Sequence, residues 1–182
     1  MRLYRQTVQD FGLYSGKELN DSEHKALVQE ASKMSAKMRA VRIVSASSVS
    51  KGDLEQRLIQ KGEDAEHARQ AVAWMSDMEL LDDRKTAEQI VARCVAKGYG
   101  INRAKQALYE KRIPKHYWDE VLEDYPEQCE AIIAFLQSRL TDTSDRRALQ
   151  KAIDALIRKG HNYSVIRKCI GQLSLNEEIL EE

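Results

Sequence analysis

Proline occurs only twice in this 182-residue chain, at Pro114 and Pro126, and glycine only eight times. Both residues interrupt helices, proline through its missing N–H and its ring, glycine through the backbone entropy it loses on ordering. Ala, Leu, Glu, Lys, Gln and Arg dominate what remains, and these lose least on entering a helix. The chain is therefore expected to be all-α. At 42% hydrophobic and 32% charged it carries enough apolar material for a core and falls outside the disordered class. No run approaches the roughly 18 uninterrupted apolar residues of a membrane span. Residues 1–10 lack the apolar stretch of a secretory signal, so the expectation is a cytoplasmic protein without a membrane partner.

Residues 1–20 have no sustained helical period and are read as an N-terminal arm, partly extended. A long helix then opens at Asp21 and Ser22 as N-caps, presents Ala26, Met34, Met38, Val41 and Val44 on one face, and ends near the serine-rich residues 45–50. A second helix carries Leu54, Leu58 and Ile59 and stops at Lys61-Gly62, where Gly62 is a C-terminal cap. A third holds Ala68, Val72, Trp74 and Met75. These three form a first repeat over residues 21–81.

The chain echoes itself. Residues 41–58 align without gaps on 91–108, placing Val41 on Val91, Gln56 on Gln106 and Leu58 on Leu108. Residues 97–108 align on 159–170, with Lys97-Gly98 on Lys159-Gly160. The spacing of 50 grows to 62, and the extra 12 residues are accounted for by an inserted connecting helix, residues 126–142. Pro126 sits at its first helical position, and Ile132, Ile133, Phe135 and Leu136 lie within it. The second repeat spans 82–125, its third helix started by Pro114 with Trp118, Val121 and Leu122 inward. The third repeat, 143–182, closes with a short helix in which Ser174 and Glu177 form a capping box. Units this small cannot bury their apolar faces alone, so an elongated, curved array of three stacked three-helix repeats is expected.

Catalytic and metal chemistry find little support. His24, His67, His116 and His161 lie on separate segments without a recurring acid or thiol partner. His161 reads as a residue of an interhelix turn opposite Tyr99, and His67 as a helix-surface residue. Cys94, Cys129 and Cys169 have neither CxxC nor His-spaced clustering and read as small core residues rather than a disulfide framework or zinc site. Asp82-Asp83 and Glu123-Asp124 lack the loop of a hard-cation site, and Asp82-Asp83 is better explained as a cap on the helix that follows. Trp74 and Trp118 fall at apolar helical spacing and read as core. No cofactor, catalytic residue or metal ligand is assigned.

Net charge is zero, with 29 basic and 29 acidic residues, but the two signs are segregated. Residues 53–83 hold nine acids and three bases, residues 84–112 eight bases and two acids, and residues 115–130 six acids and one lysine. A cationic stripe over the second and third repeats comprises Arg84, Lys85, Arg93, Lys97, Arg103, Lys105, Lys111, Arg112, Arg146, Arg147, Lys151, Arg158, Lys159, Arg167 and Lys168. A stripe of this kind suits a phosphate backbone or an acidic protein groove, and charge alone does not choose between them.

Leu80-Leu81-Asp82-Asp83 followed by Ala87, then Arg93, Lys97-Gly98-Tyr99-Gly100 and the LYEKRI segment from Leu108 to Ile113, resemble the signature of the RecX family. Asp53 to Leu58 with Lys61-Gly62 resembles the family's first repeat, and Arg158-Lys159-Gly160 with Val165-Ile166 its third, so the resemblance spans about residues 38–171. Two positions depart from it: Thr86 stands where the family usually has an aromatic, and Lys111-Arg112-Ile113 replaces the usual lysine-glycine. The resemblance implies a non-enzymatic, monomeric protein that binds in the groove of the RecA–DNA filament, lowers ATPase and strand exchange, and touches single-stranded or duplex DNA through its cationic face. The alternative reading is a DNA-binding helical module, or a scaffold, acting without RecA.

Overall fold

In the computed structural model, which describes residues 3–140 and 145–172, the regular elements among the described residues are ten α-helices and one 3₁₀ turn. They are α1 (Arg5–Asp10), α2 (Asp21–Ala46), α3 (Lys51–Gln60), α4 (Ala65–Asp77), α5 (Asp83–Ala96), α6 (Ile101–Glu110), the 3₁₀ turn Lys115–Tyr117 leading into α7 (Trp118–Leu122), α8 (Cys129–Arg139), α9 (Arg146–Arg158) and α10 (Tyr163–Gln172). The chain is all-α, as its composition predicts. It divides into two compact units, Met1–Thr86 and Ala87–Glu182, with the boundary inside α5.

In the first unit each long helix is started by a side chain. Asn20 caps α2, its Oδ1 accepting from the Glu23 N–H at 2.8 Å while the Glu23 carboxylate accepts from the Asn20 N–H at 3.0 Å. This capping box sits one residue before the expected caps Asp21 and Ser22. Ser50 caps α3 by accepting from the Asp53 N–H, and Asp64 caps α4 by accepting from the N–H groups of Glu66 and His67. Those two backbone donors hold the Asp64 carboxyl below its ordinary range. Ala36 and Ala40, both fully buried on α2, let α4 approach closely, and Leu54, Leu58, Ala68, Ala71, Val72, Met75 and Leu81 complete the core. Full burial of each large apolar side chain here is worth roughly 1.5–3 kcal/mol. The arm expected over residues 1–20 contains a helix, α1, whose Thr7 is fully buried. Six residues are too few to announce a period, and so short a helix exists through its packing on α2 rather than through propensity.

The second unit holds two apolar clusters. Ala87, Cys94, Ala104, Leu108, Ile113 and Leu122 form one, with Tyr99, Trp118 and Tyr125 partly buried against it. Ile132, Leu136, Leu149, Ile153, Leu156, Ile166, Cys169 and Ile170 form the other. Both prolines stand earlier than expected, Pro114 by one residue and Pro126 by three. Pro114 is the N-cap residue of the 3₁₀ turn, so the third helix of this stretch is that turn plus the five residues of α7. Pro126 lies in the exposed loop before α8, whose N-cap is Gln128 at φ 60°, held there as its Nε2 donates to the Val95 carbonyl at 3.2 Å. The reading of three separate core cysteines is corrected: Cys129 and Cys169 form a disulfide, Cα–Cα 5.6 Å, tying α8 to α10. Cys94 is a buried thiol pushed up from its ordinary pKa by burial, against the pull of Arg103 and Lys97.

α3, α6 and α10 each run ten residues, and their starts at 51, 101 and 163 reproduce the offsets of 50 and 62 found by aligning the chain on itself. The Ser174–Glu177 capping box lies outside the described residues.

Six of these helices end in one kind of turn. The residue after the C-cap takes positive φ and donates to the carbonyl two residues inside the helix end, and the next N–H reaches one residue further in. The positive-φ residues are Gly12, Gly62, Glu79, Gly98, Arg112 and Gly160. Gly62 is the cap its sequence position predicts.

Candidate cationic interface

The signature residues prove to be positioning devices. In the first unit Leu81 is buried in the core, and the Asp82 Oδ1 accepts from the Lys85 N–H at 2.9 Å, capping α5 as expected. Thr86 donates its Oγ1–H to the Asp82 carbonyl at 2.7 Å and is itself buried, so this position is closed by a hydrogen-bonded hydroxyl. Asp83 does something else: its Oδ1 accepts from the Lys51 N–H at 2.8 Å, meeting the amino end of α3. The two acids thus fix the starts of two different helices. Arg84 and Lys85 emerge exposed from this corner, and Arg84 is engaged with a neighbouring group.

In the second unit the glycines bring two helix ends into backbone contact. Lys97-Gly98-Tyr99-Gly100 and Lys159-Gly160-His161 lie against one another, the Gly100 N–H donating to the Lys159 carbonyl at 3.0 Å and the Asn102 N–H to the Gly160 carbonyl at 3.1 Å. A Cβ at Gly100 would stand 2.2 Å from the Gly160 carbonyl carbon, and one at Gly160 would stand 2.3 Å from the Arg103 nitrogen. No side chain fits at either place. Asn102 donates its Nδ2–H to the Asn162 Oδ1 at 2.8 Å across the same seam. His161, expected as an ordinary turn residue, is 4% exposed and donates from Nε2 to the Gly98 carbonyl at 3.1 Å. Burial lowers its pKa, which the Gly98 bond opposes and the charge of Lys159 assists. The Tyr125 hydroxyl donates to the Tyr99 carbonyl at 2.7 Å, and burial, helped by Cys94, pushes its pKa up to about 12. His67 likewise departs from its surface reading: it is half-buried, with Nδ1 2.9 Å from the Ser32 hydroxyl.

The helices that meet at this seam carry many of the second unit's cations. Arg93, Lys97, Lys105, Arg112, Arg147, Lys151, Arg158, Arg167 and Lys168 are exposed, and Arg103, Lys111, Lys159 and Arg146 differ from one another in how they are held. Arg103 is half-buried and reaches Glu110 at 3.4 Å, Lys168 meets Glu127, and Lys111, Arg146 and Arg167 are engaged with neighbouring groups. Lys159 places its Nζ 4.6 Å from the centre of the Phe135 ring, with the Arg139 guanidinium 5.4 Å from the same ring. Arg139 was not a candidate from sequence, although it stands one turn from Phe135 on α8; it is Lys159, at the end of α9, that the tertiary fold brings to the same ring. Among the described residues no three metal-ligating side chains converge, and no helix is long and apolar enough to cross a membrane.

No protein-family model matches the chain. Over 177 residues it is 25% identical to the regulatory protein RecX of Clostridioides difficile, covering 94% of this chain and 83% of that protein. Over 154 residues it is 29% identical to the regulatory protein RecX of Chlorobaculum tepidum, covering 83% of this chain and 95% of that one. The chain is thus similar to proteins named RecX over most of its length. Its fold agrees with that of a RecX crystal structure from Lactobacillus salivarius, TM-score 0.68 at 20% identity over 79% of this chain and 97% of that one. In this RecX-like chain the motif glycines and paired aspartates are accounted for by backbone packing and helix capping, and the exposed cations lie outside that packing.

Proposed function

We propose that the chain is a non-enzymatic modulator of RecA that lies in the groove of the RecA–DNA filament, lowering its ATPase and strand-exchange activity and limiting its extension. The observation that carries this reading is the set of exposed cations on helices joined through the backbone-bonded turns at Lys97–Gly100 and Lys159–His161. A preorganised cationic surface offers phosphate or carboxylate contacts without the entropy of assembling them. The protein acts as a cytoplasmic monomer, the acidic and basic bands keeping its net charge at zero while one face remains attractive to an anionic filament.

The test is RecA-driven ATP hydrolysis on single-stranded DNA with Arg93, Lys97 and Lys105 reversed to glutamate. All three are exposed, whereas Arg103 is excluded because its backbone packs against Gly160. The reversed variant, checked for an unchanged helical circular dichroism spectrum, should lose most of its inhibition, and the parent's inhibition should fall with added salt. Undiminished inhibition by the variant sinks the reading. Tight, sequence-dependent binding to duplex without RecA would replace it with a direct DNA-binding module.

A further inference from the structure

Four lysines stand at the C-caps of helices that end in the positive-φ turn: Lys61, Lys97, Lys111 and Lys159. Three are followed by glycine, Gly62, Gly98 and Gly160, at φ 87°, 64° and 92°. The fourth is followed by Arg112 at φ 52°. An arginine in that conformation is strained where glycine is not, because its Cβ crowds the backbone. Charge at the helix end does not explain the exception, since Lys111 already supplies a cation there, as Lys61 and Lys159 do for α3 and α9. What the position retains is the Arg112 side chain itself.

That side chain borders a cleft of about 420 Å³ lined by Tyr109, Glu110, Arg112, Pro114, Lys115 and Trp118 among others. Tyr109 is 71% exposed at the end of α6. Trp118 is fixed as its Nε1–H donates to the Ile113 carbonyl at 3.1 Å, giving the cleft a firm aromatic wall. The single carboxylate of the lining is occupied: Glu110 Oε1 accepts from Gln106 at 2.9 Å and from Arg103 at 3.4 Å. Among the described residues no carboxylate pairs with Arg112 or Lys115, so the cleft presents two available cations beside an open ring. An acidic peptide would use the cations and leave the ring idle. Duplex DNA would use the cations too, but its bases are stacked on one another and closed to Tyr109. An unpaired nucleotide uses both, its base on the ring and its phosphates on the cations.

We propose that this cleft binds single-stranded nucleic acid, with Tyr109 stacking on a base and Arg112 and Lys115 holding the adjoining phosphates. The inference rests on the reading that the second unit's cations face nucleic acid in the filament, and it adds a site built by a residue that stands where the three other lysine-capped turns have glycine.

The experiment measures fluorescence anisotropy of a labelled oligothymidylate with the full chain in the absence of RecA. Tyr109→Ala and Arg112→Gly should each weaken binding at least about fivefold, while Tyr109→Phe stays near the parent. Arg112→Gly should melt close to the parent, relief of strain offsetting the looser unfolded chain, so its loss of binding is not loss of fold. An abasic strand of equal length should bind the parent more weakly and be indifferent to Tyr109→Ala. Unchanged oligothymidylate binding by Tyr109→Ala and Arg112→Gly, or equal affinity for the abasic strand, overturns the proposal. RecA-driven ATP hydrolysis run in parallel separates the two readings. A parent that inhibits RecA without Tyr109-dependent strand binding overturns the cleft alone, and a parent inert toward RecA that binds the strand through Tyr109 overturns the filament reading alone.

Discussion

His161 couples the second unit to pH. Its Nε2 donates to the Gly98 carbonyl, and burial favours the neutral ring, so its folded pKa lies below the value of about 6.5 it has when the chain is unfolded. A group with a depressed folded pKa contributes stability that is present above the unfolded pKa and lost as pH falls through the folded one. Thermal melts should therefore show the second unit losing stability as pH drops from neutral through 6.5 and below. His161→Gln, which keeps a donor but does not titrate, should flatten that dependence; an unchanged slope would remove His161 as its cause. The same residue illustrates what sequence reading can reach. Its place in an interhelix turn, at the position the 62-residue self-alignment pairs with Tyr99, was legible, but its burial was not, because the turn that covers it is formed by residues some 60 positions earlier.

At the scale of elements, two glycines with the same local geometry carry different loads. Gly62 and Gly160 both take positive φ at the ends of helices, and Gly62 was readable as a stop. A Cβ at Gly62 meets nothing within 4 Å, whereas at Gly160 it meets the Arg103 backbone at 2.3 Å. Gly62→Ala should cost only the backbone strain, about 1–2 kcal/mol. Gly160→Ala adds a collision with main chain that cannot rotate away, for a total on the order of 3–5 kcal/mol. Denaturant titrations of the two variants check this, and equal losses would refute the close approach of α6 and α9–α10. The difference was invisible in sequence because each glycine is preceded by lysine and followed by a polar residue. Only the neighbour supplied by another element tells them apart. The same holds for Asp82 and Asp83, adjacent in the chain yet fixing the starts of α5 and α3 respectively.

At the scale of the whole molecule, the second unit is cross-linked and the first is not, among the described residues. The Cys129–Cys169 disulfide closes a loop with a sequence separation of 40, and restricting the unfolded chain by that much is worth roughly 3–4 kcal/mol. Reduction, or Cys129→Ala with Cys169→Ala, should lower the stability of the second unit by that order. Trp118 fluorescence in a Trp74→Phe background reports on that unit alone, and an unmoved transition would count against the cross-link. The sequence by itself determined the all-α class, the positions where most helices begin and end, the 50- and 62-residue offsets between α3, α6 and α10, and the segregation of charge. These follow from local propensity, capping chemistry and periodicity, which act over a few residues. It did not determine that α1 forms, that two cysteines 40 residues apart meet, or that Pro126 stands outside α8. Each of those depends on which side chains and backbone segments arrive from distant parts of the chain, and tertiary packing alone decides that.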